Sequence, residues 1–479
     1  MLRLLVMVVS AAALAAALNS RQAVPAGTAS PAGFEVSFTA GSQDDAGRFM
    51  GGTEMRVLTA HAGKLFAGNG YWEDRPGPEG PQGAEILVLD GANAKWRVDH
   101  AFEERLPDGR RRDLAVSALE ELTFATDGSG ARLPEPRSML VAANWDLGGT
   151  SRVFSRDDVT GAWTAATIAQ DRAIPGFLPQ VRSLGRHRDR ITGIEQIFAG
   201  QDPRGIFAGS YDPTVSGHIR WNAAPELDLA GVSPVGISGR NGYLRVTSFA
   251  ECNNRLYAAV GQHIYERLDG ASPAWRLVYT NPYPGHSETG LRGLTRITAP
   301  ADHGELLLAA VEGSAARIVR VDPRDGSEVT EIDLSDFLSR NWGMPAGYVI
   351  AAYNDMAKTP DPAGGEALLI GIEAFIPLRA SVASGHRVVD VGYSRLEAGG
   401  WYLVRRSNGH YDLARIAAST ERTLIATRSI RVSPFAQDPD RVYFAGYDAN
   451  KAPAHDTAWI YRATRSTAID ARPNFQPPR

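Results

Sequence analysis

Five arginines stand at similar points in the chain, each directly before a short apolar or β-branched pair. They are Arg56 (before Val57-Leu58), Arg182 (Ser183-Leu184), Arg245 (Val246-Thr247), Arg292 (Gly293-Leu294) and Arg428 (Ser429-Ile430). A guanidinium is a planar fork that matches a carboxylate, sulfate or phosphate. Five around one opening would make a cationic funnel, unless each pairs with an acid of a neighbouring segment. A second set mixes aromatic rings with acids and amides: Asn69, Trp72 and Asp74; Asn144, Trp145 and Asp146; Tyr211, Asp212 and His218; Gln262 and His263; Glu312; Glu373; and Tyr447, Asp448, Asn450 and His455. Rings stack on pyranose faces while polar side chains bond hydroxyls, so the set suits a saccharide. Taken singly, each is more at home as a loop residue capping a strand end; recurrence across the units is what carries the signal.

The histidines narrow the chemistry. His286 precedes Ser287-Glu288 and Arg292, and His455 follows Asn450 in a polar stretch. A His near Tyr447 and an Arg suits a general base that removes a proton beside a carboxylate neutralised by Arg292 or Arg245. Lyase or hydrolase action on an anionic saccharide is thus one expectation. A non-catalytic binding or envelope scaffold is the other, although exposed apolar loops would be expected of a scaffold and these loops are polar. No organic cofactor is implied. Asp146, Asp212 and Asp448, with Asn144 and Asn450, carry the oxygen ligands that Ca²⁺ prefers; the arginines on the same rim oppose a dense cation site.

These residues are placed by a recurring apolar tetrad that ends in a small residue. Its copies are Leu65-Phe66-Ala67-Gly68, Leu140-Val141-Ala142-Ala143, Ile206-Phe207-Ala208-Gly209, Leu256-Tyr257-Ala258-Ala259, Leu307-Leu308-Ala309-Ala310, Leu368-Leu369-Ile370-Gly371 and Tyr443-Phe444-Ala445-Gly446. A unit of this size cannot bury its own apolar faces and must stack on its neighbours. Two units also share a hairpin: Leu89-Asp90-Gly91-Ala92 with Trp96-Arg97-Val98 matches Leu268-Asp269-Gly270-Ala271 with Trp275-Arg276-Leu277. Asp-Gly turns one strand into the next. Each unit reads as four antiparallel strands: an inner strand, the tetrad strand, a third and a fourth. The start of the inner strand and the end of the tetrad strand share a face, and the arginines and polar residues collect there. Cys252 falls at the opposite face, which argues against a catalytic thiol.

On these repeats the chain resembles the β-propeller superfamily over residues 34–465. The resemblance implies an all-β, seven-bladed propeller of four-stranded antiparallel blades, with Phe34 to Ala40 supplying the last blade's missing strand and closing the ring. Ser155, Asp157, Gly161 and Trp163 are similar to a loose sialidase-type Asp-box, with altered glycine spacing and no second clean copy, and this likeness implies sialidase-like glycoside hydrolysis as a third alternative. The Gly-His and Trp-Asp marks of WD40 repeats are absent. Several polysaccharide lyases are also propellers.

Composition fits this reading. The 479 residues include 49 Gly and 29 Pro, as a turn-rich β protein requires, and a net charge of −4 opposes a nucleic-acid role. Arg3 followed by the apolar stretch Leu4 to Leu18 resembles a signal peptide, too short to span a bilayer as a mature helix. The expected organisation is a signal peptide (1–18), an Ala/Pro/Gly/Ser linker (19–33), the propeller (34–465) and a tail (466–479). The mature protein is expected to be secreted or periplasmic. With Cys252 the sole cysteine, no internal disulfide can form and the packed sheets must supply stability.

Overall fold

The computed structural model describes residues 33–71, 83–170, 180–229, 244–282, 290–298, 304–343, 345–380, 389–395, 399–416, 424–447 and 456–470. The tetrads form strands buried on both faces. Leu307 and Ala309 point into one apolar cluster and Leu308 and Ala310 into the next, all four fully buried. A strand sandwiched between two neighbours must be apolar on both sides, so the tetrads read as unbroken apolar runs rather than alternating ones. Around them lie antiparallel sheets in simple chain order. Val246–Cys252, Arg255–Val260, His263–Leu268 and Ala274–Thr280 make one such sheet. Leu291–Thr298, Glu305–Val311, Arg317–Val321 and Glu328–Asp333 make the next. The first strands of these sheets pack side by side. The protein is all-β, and face-packed sheets of this kind are the β-propeller arrangement.

Asn253 and Asn254 turn the first hairpin of the fourth unit at φ of 51° and 59°, a left-handed region that Asn tolerates. Cys252 beside them is fully buried, and burial pushes its thiol up to about 12, so it is a packing residue.

The third unit corrects the sequence reading. Ile206–Gly209 lies in a third strand, Gly205–Tyr211; the tetrad strand is Glu195–Asp202, paired with Gln180–Arg188 and carrying the identical motif Ile197-Phe198-Ala199-Gly200. A third strand runs back toward the other face. Tyr211, Asp212 and His218 are therefore removed from the arginine-bearing mouth, and Asp202 takes the place at the mouth.

A β-bulge recurs near the start of the inner strands. Register slips by one residue at Arg56, Ser117, Arg182, Thr247 and Arg428. An extra residue breaks the pleat and re-aims a side chain. The hydroxyls beside these bulges bind the next sheet: Ser183 Oγ donates to Val246 O at 2.6 Å and Thr247 Oγ1 to Leu291 O at 2.5 Å. In the sixth unit the interruption is longer. Tyr348–Ala351 and Ala357–Pro360 pair with different parts of Glu366–Ala380, leaving residues 352–356 to loop inward. That loop packs over Gly293, where a Cβ would lie 2.3 Å from Ala352 Cβ, so glycine is required there.

Two helices were not expected from the sequence. Helix α1, Leu334–Trp342, starts at Asp333, whose side chain accepts from Asp336 N, and ends at Gly343 with φ 68°. It buries Leu334, Leu338 and Trp342, with Trp342 edge-on to Trp401. Helix α2, Arg465–Asp470, buries Ala468 and Ile469, and Tyr402 Oη donates to Ala468 O at 2.7 Å. The packed region therefore reaches Asp470, past the expected boundary at 465. Among the described residues no helix is long and apolar enough to cross a membrane.

The N-terminal strand Phe34–Thr39 pairs antiparallel with Trp459–Ala463. Phe38 is buried against Trp96, whereas Val36 is half exposed. Phe38→Ala should lower the unfolding free energy by about 3–5 kcal/mol, and Val36→Ala should change it by less than about 0.5 kcal/mol. Urea denaturation measures both; equal effects would mean that the strand does not lock the chain ends.

Candidate functional site

The bulges aim Arg56, Arg182 and Arg428 at the axis, and Arg245 and Arg292 stand at the same level. Acids meet them there. Arg56 Nη1 lies 2.9 Å from Glu54 Oε1, and Arg182 Nε lies 3.2 Å from Asp202 Oδ2. Arg428 Nη1 lies 2.8 Å from Glu373 Oε2, and Arg292 Nε pairs with Glu312. Asp202, Glu312 and Glu373 each occupy the second position after their tetrad, directly across from the inner-strand start. The five arginines do converge, but as members of an ionic ring. Burial works against charge on Glu312, yet Arg292 and Arg245 outweigh it and hold the carboxyl below its ordinary range. For Asp202 burial prevails over Arg182 and Arg245, and its value is raised.

One residue that sequence reasoning missed sits at the centre. Tyr353, carried on the sixth unit's inward loop, accepts at Oη from Arg56 Nη2 at 2.9 Å and from Arg182 Nη1 at 3.5 Å. Arg292 Nη1 donates to its carbonyl at 3.3 Å. The Arg428 guanidinium lies 4.0 Å from the ring centroid and that of Arg292 4.6 Å. Burial disfavours a phenolate here, but Arg56, Arg182 and Arg428 outweigh it and bring the phenol down to about 7. Asn354 Nδ2 fixes the loop by donating to Arg56 O at 2.6 Å, and Asp355 pairs with Arg431. Tyr353 and Arg245 remain partly exposed in this mouth.

The other expected site residues fall into separate groups. Tyr447 is buried, donates to Glu373 and accepts from Arg428 Nη2 at 3.3 Å. Both of its hydrogen-bonding directions are used inside the ring, which corrects its reading as a catalytic group. Asp146 is enclosed by Arg112 Nε at 2.9 Å, Arg152 Nε at 3.2 Å and Gly148 N at 2.6 Å. Asn144 donates to Asp113, itself paired with Arg152. Asp212 closes its own turn with Thr214 and pairs with Arg220 at 2.6 Å on the opposite face. An Arg-saturated Asp146 and a distant Asp212 do not make a Ca²⁺ cage, and among the described residues no cluster of three or more His, Cys, Asp or Glu fits a metal. Tyr211 is core, packed on Phe124 and His218. Trp145 stays partly exposed at the mouth, as do Tyr348 and Phe375. Trp72, His286, Asp448, Asn450 and His455 lie outside the described residues.

Glu85 forms a further polar knot behind Asn69. Its Oε2 accepts from Asn69 Nδ2 at 2.7 Å and from Gly51 N at 3.2 Å. Burial raises its carboxyl to about 7 despite these bonds. The Asp-box-like residues form an ordinary hairpin: Asp157 accepts from Val159 N and Thr160 N, and Trp163 Nε1 donates to Asp99.

No protein-family profile matches the chain, and no curated protein matches it in sequence. Among solved structures it is similar to the β-propeller domain of Myceliophthora thermophila Cps50 (Swd1), with 12% identity over 85% of this chain and 96% of that one and a TM-score of 0.43. It is also similar to Trypanosoma rangeli sialidase in complex with sialic acid, at 10% identity over 91% and 58% of the two chains and a TM-score of 0.36. A Bifidobacterium bifidum protein assigned as an exo-beta-1,3-galactanase matches at 12% identity over 62% and 96%, with a TM-score of 0.31. Likenesses at this level say nothing of activity.

Arg428→Met strands Glu373 without its cation, while Glu54 keeps Arg56, and should cost about 3–5 kcal/mol in stability; a loss below about 1 kcal/mol would show that the ring is not structural. For Glu85 the folded value lies above the unfolded one. Its favourable contribution is therefore present in acid and is lost as pH rises from about 4.5 through about 7. Glu85→Gln should match the parent at pH 4 and melt higher at pH 8; equal melting at both would contradict the buried acid.

Proposed function

We propose that the chain is an exported, seven-bladed β-propeller that binds an anionic, uronate-containing saccharide at the arginine mouth. The blade count is supported by apolar clusters between successive units. The last of these joins Tyr443, Ala445 and Ile460 of the seventh unit to Met55, Leu58 and Leu65 of the first. Closure by the N-terminal strand is supported by its pairing with Trp459–Ala463. Export is supported by Arg3 and the apolar stretch that follows it.

The observation that carries the binding reading is the convergence of Arg56 and Arg182 on one phenolic oxygen, where Tyr353 and Arg245 keep partial exposure. Two guanidiniums on one oxygen are the arrangement a ligand carboxylate would use. Trp145, Tyr348 and Phe375 offer rings for stacking nearby. The scaffold reading has its own support, because the buried arginines pair with internal acids, and Arg428 ties the seventh unit to Glu373 of the sixth and Glu54 of the first.

Calorimetry with oligogalacturonides and with neutral galactan separates the two. The expected result is binding of the acidic oligomer alone, weakened by salt and reduced at least tenfold in Arg182→Lys with its melting temperature retained. Absence of binding to every acidic glycan tried would sink the saccharide reading and leave the scaffold. Following unsaturated-uronate absorbance in the same samples tests for cleavage; its growth would extend binding to lyase action.

A further inference from the structure

Among the described residues, the ring sets Arg56, Arg182, Arg245, Arg292 and Arg428 against Glu54, Asp202, Glu312 and Glu373. The remaining group at the centre is Tyr353, whose oxygen lies within hydrogen-bonding reach of two guanidiniums and whose ring lies under two more.

We propose that Tyr353 is a built-in occupant of a monoanion seat: its phenolic oxygen stands where one carboxylate oxygen of a ligand would sit, and a carboxylate-bearing ligand binds by exchanging with it. Occupancy of the seat by the phenolate follows from the ring itself; the exchange rests on the saccharide-binding reading above. Geometry favours exchange over simple addition. Tyr353 is carried on an interruption that no other unit shows at that length among the described residues, attached at both ends to Glu366–Ala380, and it is partly exposed, whereas Arg56 and Arg428 beneath it are buried. For the Tyr353 side chain to leave the seat the inner-strand pairing need not break; the Asn354 bond to Arg56 O and the Asp355–Arg431 pair hold the loop's far side in place. The donors also set the ligand class: two guanidiniums on one oxygen match a carboxylate such as that of a uronate residue, and Glu54 and Glu373 beside them oppose the higher charge of a phosphate dianion.

The test follows the phenolate absorbance band of the full chain. In the native protein one of the 15 tyrosines should ionise near pH 7. This step should vanish in Tyr353→Phe, and also in guanidinium-unfolded protein, where tyrosines titrate near pH 10. No such step in the native protein would overturn the occupied seat, and the unfolded control makes that outcome independent of how well the variant folds. At pH 8, trigalacturonate should then abolish the Tyr353 signal as it binds, because the displaced phenol regains its proton. Binding with the signal unchanged would overturn the exchange while leaving the binding reading intact. An unchanged signal with no binding would sink the binding reading and leave the phenolate seat standing. As a further arm, Tyr353→Ala should be stabilised by benzoate and not by toluene at equal concentration; equal rescue would make Tyr353 an apolar plug and overturn the seat.

Discussion

Guanidiniums brought together in a channel repel one another more strongly than in water, since the low-dielectric walls screen them poorly. Five of them at one level can persist only if anions are built in at the same level. That requirement explains why the second position after the tetrad is Asp202, Glu312 or Glu373 in three units, and why Glu54 opens the first inner strand. Most of the pairs lie within one unit, and it is Arg428, reaching Glu373 of the sixth unit and Glu54 of the first, together with Tyr353, that links different sheets. It does not replace the apolar clusters as the source of stability. Buried ion pairs add little net free energy, and what they impose is the cost of losing one partner.

The recurrent bulge makes the ring feasible. In a regular strand the residue at Arg56, Arg182 or Arg428 would lie in the pleat, paired across to the tetrad strand. The slip frees it to turn toward the axis. Where the bulge residue is Ser117 or Thr247, the freed side chain binds a neighbouring backbone carbonyl and ties two sheets together. One local irregularity thus supplies either a charge to the centre or a tie between sheets, according to the residue placed on it.

The same division separates what was legible in the sequence from what was not. The tetrads, the shared hairpins and the face bearing the arginines were all legible, because two-sided burial leaves a continuous apolar signature. The third tetrad was misplaced because Ile197–Gly200 and Ile206–Gly209 are the same four residues. Spacing held the answer: the other four arginines precede their tetrads by 9 to 15 positions, and Arg182 precedes Ile197 by 15 but Ile206 by 24. Helix α1 was also legible in its Asp333 cap, its Leu334, Leu338 and Trp342 spacing and Gly343, but the expectation of a strand in every segment hid it. The pairing of the arginines was not legible, since it depends on which tetrad position faces which bulge. Tyr353 left no motif at all; its only trace was that the sixth unit, like the second with Ser117, lacked an arginine.

That missing arginine has a physical reason. Residues 352–356 reach four other units: Tyr353 engages Arg56, Arg182, Arg292 and Arg428, Asn354 bonds to the Arg56 carbonyl, and Asp355 pairs with Arg431 one layer deeper. A sixth arginine at the ring would have added a cation that, among the described residues, no further acid is placed to answer. A further carboxylate in its place would have held its negative charge permanently. A phenol tuned close to neutral pH does neither: it supplies a negative charge when ionised and, on a loop outside the regular strands, can surrender its position to another oxyanion.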